Sequence, residues 1–319
     1  MTTSGSYSFG VSRDDIFRQA LLNIGKLDAY ENPDSQQVQD LSILLNMMVK
    51  QWMGKADFAP GLKMWSRKHG HMFLQNNTGQ YAIGPSCTTG WTNTYAATTL
   101  AASAAAGATT LVLNSIAGMA VGYYIGIELD SGNLFWTTIA TLPSTTMTIT
   151  LALPSSASAT NQIFAFQTIA QQPLFIETAT LRDVNNQDTP LKIMTVQAYD
   201  YLPNKADPTN LQDPTAIYYE NQLGSGNLYT DAGASQDVTK HICLTYQEPV
   251  QDFTTSLDTP YFPQEWYLPL CWGLGKLACP QYNRVWTPLM AENFITSLRI
   301  AQQKDAETSQ LYFQPLAED

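Results

Sequence analysis

The sequence has little charge. Only 13% of its 319 residues are Asp, Glu, Lys or Arg, against about 25% in ordinary soluble proteins. Basic residues are the scarcer kind, because 16 Lys and Arg stand against 27 Asp and Glu, for a formal net charge of −11. Proteins that bind nucleic acid freely usually present a basic surface. This balance therefore argues against general attraction to phosphate, although a local basic patch is still compatible with it.

Cysteine pairs and long apolar runs are also missing. The four cysteines are Cys87, Cys243, Cys271 and Cys279, and they form no C-x-x-C pair. A chain of this length needs no disulfides, so we expect buried thiols made in a reducing cytoplasm. No stretch resembles a membrane span, and the first eleven residues lack the basic and apolar segments of a secretory signal. We therefore expect neither a signal peptide nor a membrane anchor.

Basic residues are absent between Lys68 and Arg182. Such a change in composition is typical of a domain boundary. Within the region that lacks basic residues, β-branched and aromatic runs alternate with Gly, Pro, Ser and Asn, which is the pattern of short strands and turns. We predict an inserted small β-barrel or β-sandwich module over residues 88–171. Its Ala/Ser/Thr-rich beginning, residues 96–108, is expected to be an extended or loosely ordered linker.

Helices are predicted at both ends of the chain. Ser12 with Asp15 forms a weak capping box before one apolar periodic segment, and Asn32–Pro33 is expected to begin a second helix. Helical patterns return after Pro263 and over residues 288–306. The predicted fold is α+β, with a helical bundle formed by the N- and C-terminal helices. Its segments are residues 1–87 (N-terminal helices), 172–262 (strand-rich) and 263–319 (C-terminal helices and tail), around the inserted module.

The segment from Pro260 to Tyr282, PYFPQEWYLPLCWGLGKLACPQY, is apolar on all sides of a helix. A helix of this kind must be covered all round. Pro269 is expected to kink it by removing a backbone hydrogen bond. We predict that Trp272 and Leu274 are buried in the bundle or against another subunit, and Trp266 is a further candidate for a contact between subunits.

Residue types that carry out catalysis are present only in weak patterns. The carboxylate pairs Glu128/Asp130 and Asp183/Asp188 would suit glycoside hydrolysis if one member were buried with a raised pKa. Nothing in the sequence marks either pair as buried, and Asp in Asn-rich segments is typical of turns. We predict no catalytic residues.

Signals for metals and cofactors are equally weak. His69 and His71 form an H-x-H pair, but a metal site needs a third ligand and His241 is the only other histidine. The string GLGK at residues 273–276 lacks the spacing of a phosphate-binding loop. Cys87 has no recognisable histidine partner. We therefore predict no metal site and no cofactor.

The one basic cluster includes Lys63, Arg67 and Lys68. A solvated loop and a contact with nucleic-acid phosphates are both compatible with it. Residues 177–265 carry 13 acids against four bases. A third hypothesis is that, in a homo-oligomer, the basic cluster of one subunit faces this acidic region of the next.

The order of several motifs resembles the head-to-tail adaptor proteins of short-tailed bacteriophages, the tail tubular protein A and tail accessory factor group. These motifs are DDIFRQALLNIGKL, PDSQQVQDLSILLNMMVKQW, MFLQNNTGQYAIGP, PLKIMTVQAYDYLPNK, DPTAIYYEN, FPQEWYLPLCWGLGKLACPQY and QKDAETSQLYFQP. The resemblance covers about the first 85 and the last 145 residues. The inserted module resembles a β-module of some such phage proteins, although the smaller members lack it.

The resemblance implies a structural virion protein without enzymatic activity or cofactor. Such proteins assemble in the host cytoplasm into a ring, usually of twelve copies, at the head–tail interface. The ring binds the portal protein above and the tail nozzle or fibres below. It retains packaged DNA and conducts it without reading its bases, for which acidic walls are suited.

The resemblance also suggests contact residues. The candidates for docking into the portal are Tyr312, Phe313 and Gln314. A separate hypothesis, in which the module binds a fibre or ligand, gives the aromatics Trp91, Tyr95 and Trp136, expected at its surface. Two alternatives remain: a cell-wall glycoside hydrolase that acts when the phage enters the cell, and a fibre- or receptor-binding protein that uses the β-module.

Overall fold

The computed structural model describes residues 9–54, 64–87, 90–203, 205, 212–231 and 237–305. Its content of 25% helix and 28% strand confirms the α+β class. The chain divides into two compact units, one made of Met1–Ser66 with Val250–Asp319 and the other of Arg67–Pro249. This division differs from the four expected segments, because residues 67–87 group with the strands instead of the N-terminal helices.

The first unit holds the long helices. The described helices are α1 (Arg13–Asn23), α2 (Ser35–Trp52), α3 (Val196–Asp200), α4 (Tyr267–Ala278) and α5 (Pro288–Lys304). Of these, only the short α3 belongs to the second unit. None of the described helices combines the length and apolar character needed to span a membrane.

Side-chain caps fix where the first two helices begin. The capping box of Ser12 and Asp15 is confirmed at the start of α1, where it satisfies backbone N–H groups that the helix leaves unpaired. Helix α2 is capped by Asp34, whose carboxylate accepts from the backbone of Gln37. The predicted start at Asn32–Pro33 is therefore wrong by two residues.

Helix α4 corresponds to the apolar segment. A short 3-10 turn at Gln264–Trp266 precedes it, so α4 itself begins at Tyr267. Pro269 thus lies in the first turn, where its missing N–H breaks no intrahelical bond. The physical reason for the expected kink is therefore absent.

One apolar core joins the helices from both ends of the chain. A Cβ on Gly273 would meet Trp52 of α2 at 2.9 Å, and a Cβ on Gly275 would meet the Ala20 carbonyl of α1 at 3.3 Å. The two glycines therefore let both N-terminal helices approach α4 closely. Trp52 also contacts Phe294 of α5, with ring centroids 6.4 Å apart, so all four long helices share this core.

The second unit contains two curled sheets, one a half-barrel and the other nearly a barrel. Their strands are β1 (Arg67–Phe73), β2 (Gln80–Ile83), β3 (Trp91–Thr92), β4 (Ala96–Thr99), β5 (Thr110–Val112), β6 (Tyr124–Glu128), β7 (Leu134–Thr141), β8 (Thr146–Ile149), β9 (Gln162–Phe166), β10 (Phe175–Arg182), β11 (Asp188–Ile193), β12 (Ala216–Glu220), β13 (Gly226–Thr230) and β14 (His241–Gln247). Eight of them form a sheet in the order β2-β13-β12-β11-β10-β14-β1-β3. All its pairs are antiparallel except β11 with β12.

The other six strands, β4-β9-β6-β7-β8-β5, form an antiparallel sheet inside the predicted module. Its outer strands meet at a bridge between Leu100 and Leu113, so the sheet nearly closes on itself. Residues 96–108 were expected to be extended or loosely ordered, and the loosely ordered alternative is wrong. Residues 96–99 form β4, and the buried Leu100 and Ala104 both make β-bridges.

Candidate functional site

Three of the residues that the sequence suggests for contacts with other subunits lie in the helical unit. Leu274 is buried, as predicted, and Trp266 is buried as well; the helices of the same chain cover both. Trp272 is only partly buried and meets Trp286 edge-on at 6.3 Å. Of these three candidates, Trp272 is therefore the one with surface left for another subunit.

Apolar side chains remain on the outside of this unit. Eight large residues of α2, α4, α5 and the turn before α5 are more than a third exposed: Ile43, Met47, Leu268, Leu277, Val285, Leu289, Ile295 and Ile300. Single exposed apolar residues are ordinary in soluble proteins. Here they occur on three helices, which gives the unit apolar surface that a partner chain can cover.

The basic candidates make ion pairs within their own chain. Arg67 contacts Glu177 at 2.6 Å and Lys68 contacts Glu248 at 4.0 Å. All four residues lie on or next to strands of the eight-stranded sheet, so the strand pairing brings them together. Lys63 lies outside the described residues. A contact with a neighbouring subunit would thus have to compete with these internal pairs.

The aromatic candidates lie where the two sheets meet. Trp91 is fully buried, and its indole N–H donates to the Gln171 carbonyl, so the expectation that it lies on the surface is wrong. Tyr95 and Trp136 are half-buried and pack on Phe73 of β1. Contacts between the two sheets therefore cover much of the surface of Tyr95 and Trp136. The three portal-docking candidates, Tyr312, Phe313 and Gln314, lie outside the described residues.

The carboxylates considered for hydrolysis have structural partners. Asp130 accepts from Ser156 and Asn161, and hydrogen bonds lower its pKa. Asp183 accepts from backbone N–H groups of its own turn, which lowers its pKa also. Arg182 lowers the pKa of Asp188. A proton donor in glycoside hydrolysis needs the opposite shift.

A cavity of about 400 Å³ lies along the loop of residues 251–261. Its acidic residues are also engaged. Asp252 makes an ion pair with Lys50 at 2.6 Å, and Asp258 accepts from the backbone of Thr254 and Thr255 at 2.6 and 2.7 Å. These contacts hold the loop together, and they provide no carboxylate pair with the environment that acid–base chemistry requires.

A compact group of metal-ligand side chains lies on one face of the eight-stranded sheet. Strands β1 and β14 pair so that His71 lies opposite Cys243 and Phe73 opposite His241. Side chains two residues apart on a strand share a face. One ligand atom each from His71, His241 and Cys243 therefore falls within 4.8 Å of the other two. The His71 Nδ1 and the Cys243 Sγ are 3.4 Å apart.

The surroundings of this group set its protonation. Burial lowers the pKa of His71 to about 4 and that of His241 to about 3. Burial also raises the pKa of Cys243 to about 11. Near neutral pH the two imidazoles are therefore neutral and the thiol is protonated. Neutral imidazole is the form that ligates metals.

A charged pair lies beside this group on the neighbouring strands. Arg182 of β10 donates twice to Asp188 of β11, at 2.7 Å for each bond. The Tyr95 hydroxyl and the His241 Nε2 are 3.2 Å apart. The other ring nitrogen of His241, Nδ1, is buried without a hydrogen-bond partner.

The sequence patterns indicated the three histidines as possible ligands but not Cys243. The available signal was the pair of alternating strings H-x-H at 69–71 and H-x-C at 241–243, because each places two ligands on one face of a strand. The sequence does not show that these strands are neighbours. In the described structure the group consists of His71, His241 and Cys243, and His69 is not part of it.

A comparison of the sequence with protein-family models and with curated proteins found no match.

Proposed function

We propose that the chain is a structural virion protein, the head-to-tail adaptor of a short-tailed bacteriophage. Copies of it would form a ring of twelve that joins the portal protein to the tail nozzle or fibres. The N- and C-terminal helices would form a helical bundle in the ring wall. The six-stranded module would project from the ring towards a fibre or a neighbouring ring.

One observation carries this proposal. Helices from the two ends of the chain share a single core, although about 210 residues separate them, and they still expose apolar side chains such as Leu268 and Leu289. The shared core agrees with the element order that resembles the adaptor group. The exposed side chains supply surface for the contacts between subunits that a ring needs.

The charge of the chain supports the same proposal. A formal net charge of −11 disfavours persistent contacts with DNA phosphates. A channel through which DNA must slide benefits from walls of this kind. The hydrolase alternative lacks comparable support among the described residues, because Asp130, Asp183 and Asp188 all have lowered pKa values.

The test is assembly on the portal. The purified chain is mixed with the portal protein of the same virus, and particle mass and negative-stain images are recorded with and without portal. A ring that forms on portal addition is the expected result. A chain that stays monomeric beside the portal and degrades peptidoglycan would overturn the proposal.

Matched variants make the test specific. Leu268→Asp with Leu289→Asp places charge on the exposed apolar surface and should prevent ring formation while leaving the circular dichroism spectrum unchanged. Asn293→Asp, also exposed on α5, adds charge at a polar position and should still assemble. Rings that form equally well with all variants would contradict the role given to the apolar side chains.

A further inference from the structure

The group of His71, His241 and Cys243 has a composition that the proposed function does not explain. Two imidazoles and a thiol are the donors that Zn²⁺ prefers in proteins. The three come from two adjacent strands with a fixed register, so their backbones are already held in place before any ion arrives. We propose that His71, His241 and Cys243 bind a single Zn²⁺ ion. The proposal replaces the sequence-based expectation that the histidines have no metal-binding role.

The distances are close to those a tetrahedral site needs. With Zn–N bonds of about 2.0–2.1 Å and Zn–S bonds of about 2.3 Å, ligand atoms stand roughly 3.3–3.6 Å apart. His71 Nδ1 and Cys243 Sγ are already 3.4 Å apart, and no pair in the group exceeds 4.8 Å. Side-chain rotations that shorten the longest distances by about 1 Å would complete the protein's part of the site.

The hydrogen bonds of His241 favour the same conclusion. A histidine that ligates a metal usually bonds through its other ring nitrogen to a second group, which fixes the ring. The Tyr95 hydroxyl takes that position at the His241 Nε2, while the buried Nδ1 has no partner. Leaving a buried polar atom unpaired is costly. A bound ion would satisfy it.

The charged side chains beside the group are compatible with a Zn²⁺ ion bound to the Cys243 thiolate. Arg182 opposes a cation, but Asp188 pairs with it at 2.7 Å in two bonds and offsets its charge. Binding would release the thiol proton to solvent and leave a Zn²⁺–thiolate bond. With three protein ligands, a fourth position stays open for water.

The location suggests what the ion would do. Tyr95 lies between β3 and β4, where the chain passes from the eight-stranded sheet to the six-stranded one. Phe73 of β1 and Phe164 of β9 pack together beside it, with ring centroids 4.5 Å apart. An ion here would tie β1 to β14 at the junction of the two sheets. Its role would be structural, because binding to the folded state stabilises that state.

The experiment uses the full-length chain without an affinity tag, after treatment with a chelator and its removal. Co²⁺ is titrated in as a spectroscopic probe, followed by Zn²⁺ as competitor. We expect one Co²⁺ per chain, a thiolate-to-Co²⁺ charge-transfer band, and loss of that band on Zn²⁺ addition. We also expect Zn²⁺ to raise the melting temperature. Absence of binding at micromolar metal would overturn the proposal.

Variants locate the site. Cys243→Ala should abolish the charge-transfer band, and His71→Ala should weaken binding strongly. Tyr95→Phe should lower the affinity by about 10–100-fold, the usual cost of losing a partner of a ligating histidine. Circular dichroism of each metal-free variant checks that it folds.

The chain also supplies two matched controls. His69 is exposed on the same strand outside the group, and Cys87 is a buried cysteine of another region. His69→Ala and Cys87→Ala should bind Co²⁺ like the parent protein. Loss of the band in either control, with retention in Cys243→Ala, would show that the ion binds elsewhere and would overturn the proposal.

Discussion

Gly70 illustrates how single residues decide the packing of the eight-stranded sheet. A Cβ at this position would overlap the indole of Trp91 and approach the ring of Tyr246 to 2.9 Å. The two rings contact each other, with centroids 5.3 Å apart. The absence of a side chain at Gly70 therefore lets two large aromatic residues be buried where β1, β3 and β14 adjoin.

A single residue, Asp258, should also make the free energy of unfolding depend on pH in the acid range. Hydrogen bonds from Thr255 and Thr254 hold its folded-state pKa well below the ordinary value of 3.8. A lowered pKa contributes stability that is complete above the unfolded-state value and is lost as the pH falls towards the folded-state value. Asp258→Asn should therefore reduce the free energy of unfolding at pH 7, and its difference from the parent protein should shrink below about pH 4.

Urea unfolding of both proteins between pH 3 and pH 7 measures this difference. Asp213→Asn is not a suitable comparison, because Asp213 pairs with Lys240. Asp40→Asn serves as the control, since it lies in the middle of α2 and bonds only to Gln36 among the contacts described. A gap between parent and Asp258→Asn that stays constant over this pH range would contradict the prediction.

At the scale of elements, α4 is the helix on which the first unit depends. Leu274 is fully buried, whereas Leu268, six residues earlier on the same helix, is 53% exposed. Leu274→Ala should lower the free energy of unfolding by about 2–5 kcal/mol, because it leaves a cavity in a close-packed core. Leu268→Ala, the matched control, should change it by about 0.5 kcal/mol or less. Urea denaturation measures both, and equal effects would contradict the assignment of the buried face.

The elements also show what the sequence could and could not predict. The cap of α1 was predictable because Ser12 and Asp15 act on neighbouring backbone. The burial of Leu274 was predictable from an apolar pattern. The start of α4 was not, since the turn at Gln264–Trp266 precedes it. The pairing of β1 with β14, which forms the His/Cys group, joins residues about 170 positions apart. Local patterns carry no information on that register.

For the whole molecule, the division into two compact units predicts how the chain unfolds. The helical unit and the strand unit have separate apolar cores. Proteins with several such units often unfold in more than one transition. Calorimetry should therefore resolve two transitions. Leu274→Ala should lower the temperature of one by several degrees and Gly70→Ala that of the other. A single transition shifted by both variants would show that the units unfold together.

The bridge between Leu100 and Leu113 has a consequence for the proposed ring. An open sheet ends in strands whose N–H and C=O groups can pair with strands of another molecule, which leads to aggregation. In the six-stranded sheet the two outer strands are instead directed to each other, and hydrogen bonds from Ala101 to Val112 and from Asn114 to Thr99 extend the contact. Copies crowded side by side can therefore present this module without exchanging strands.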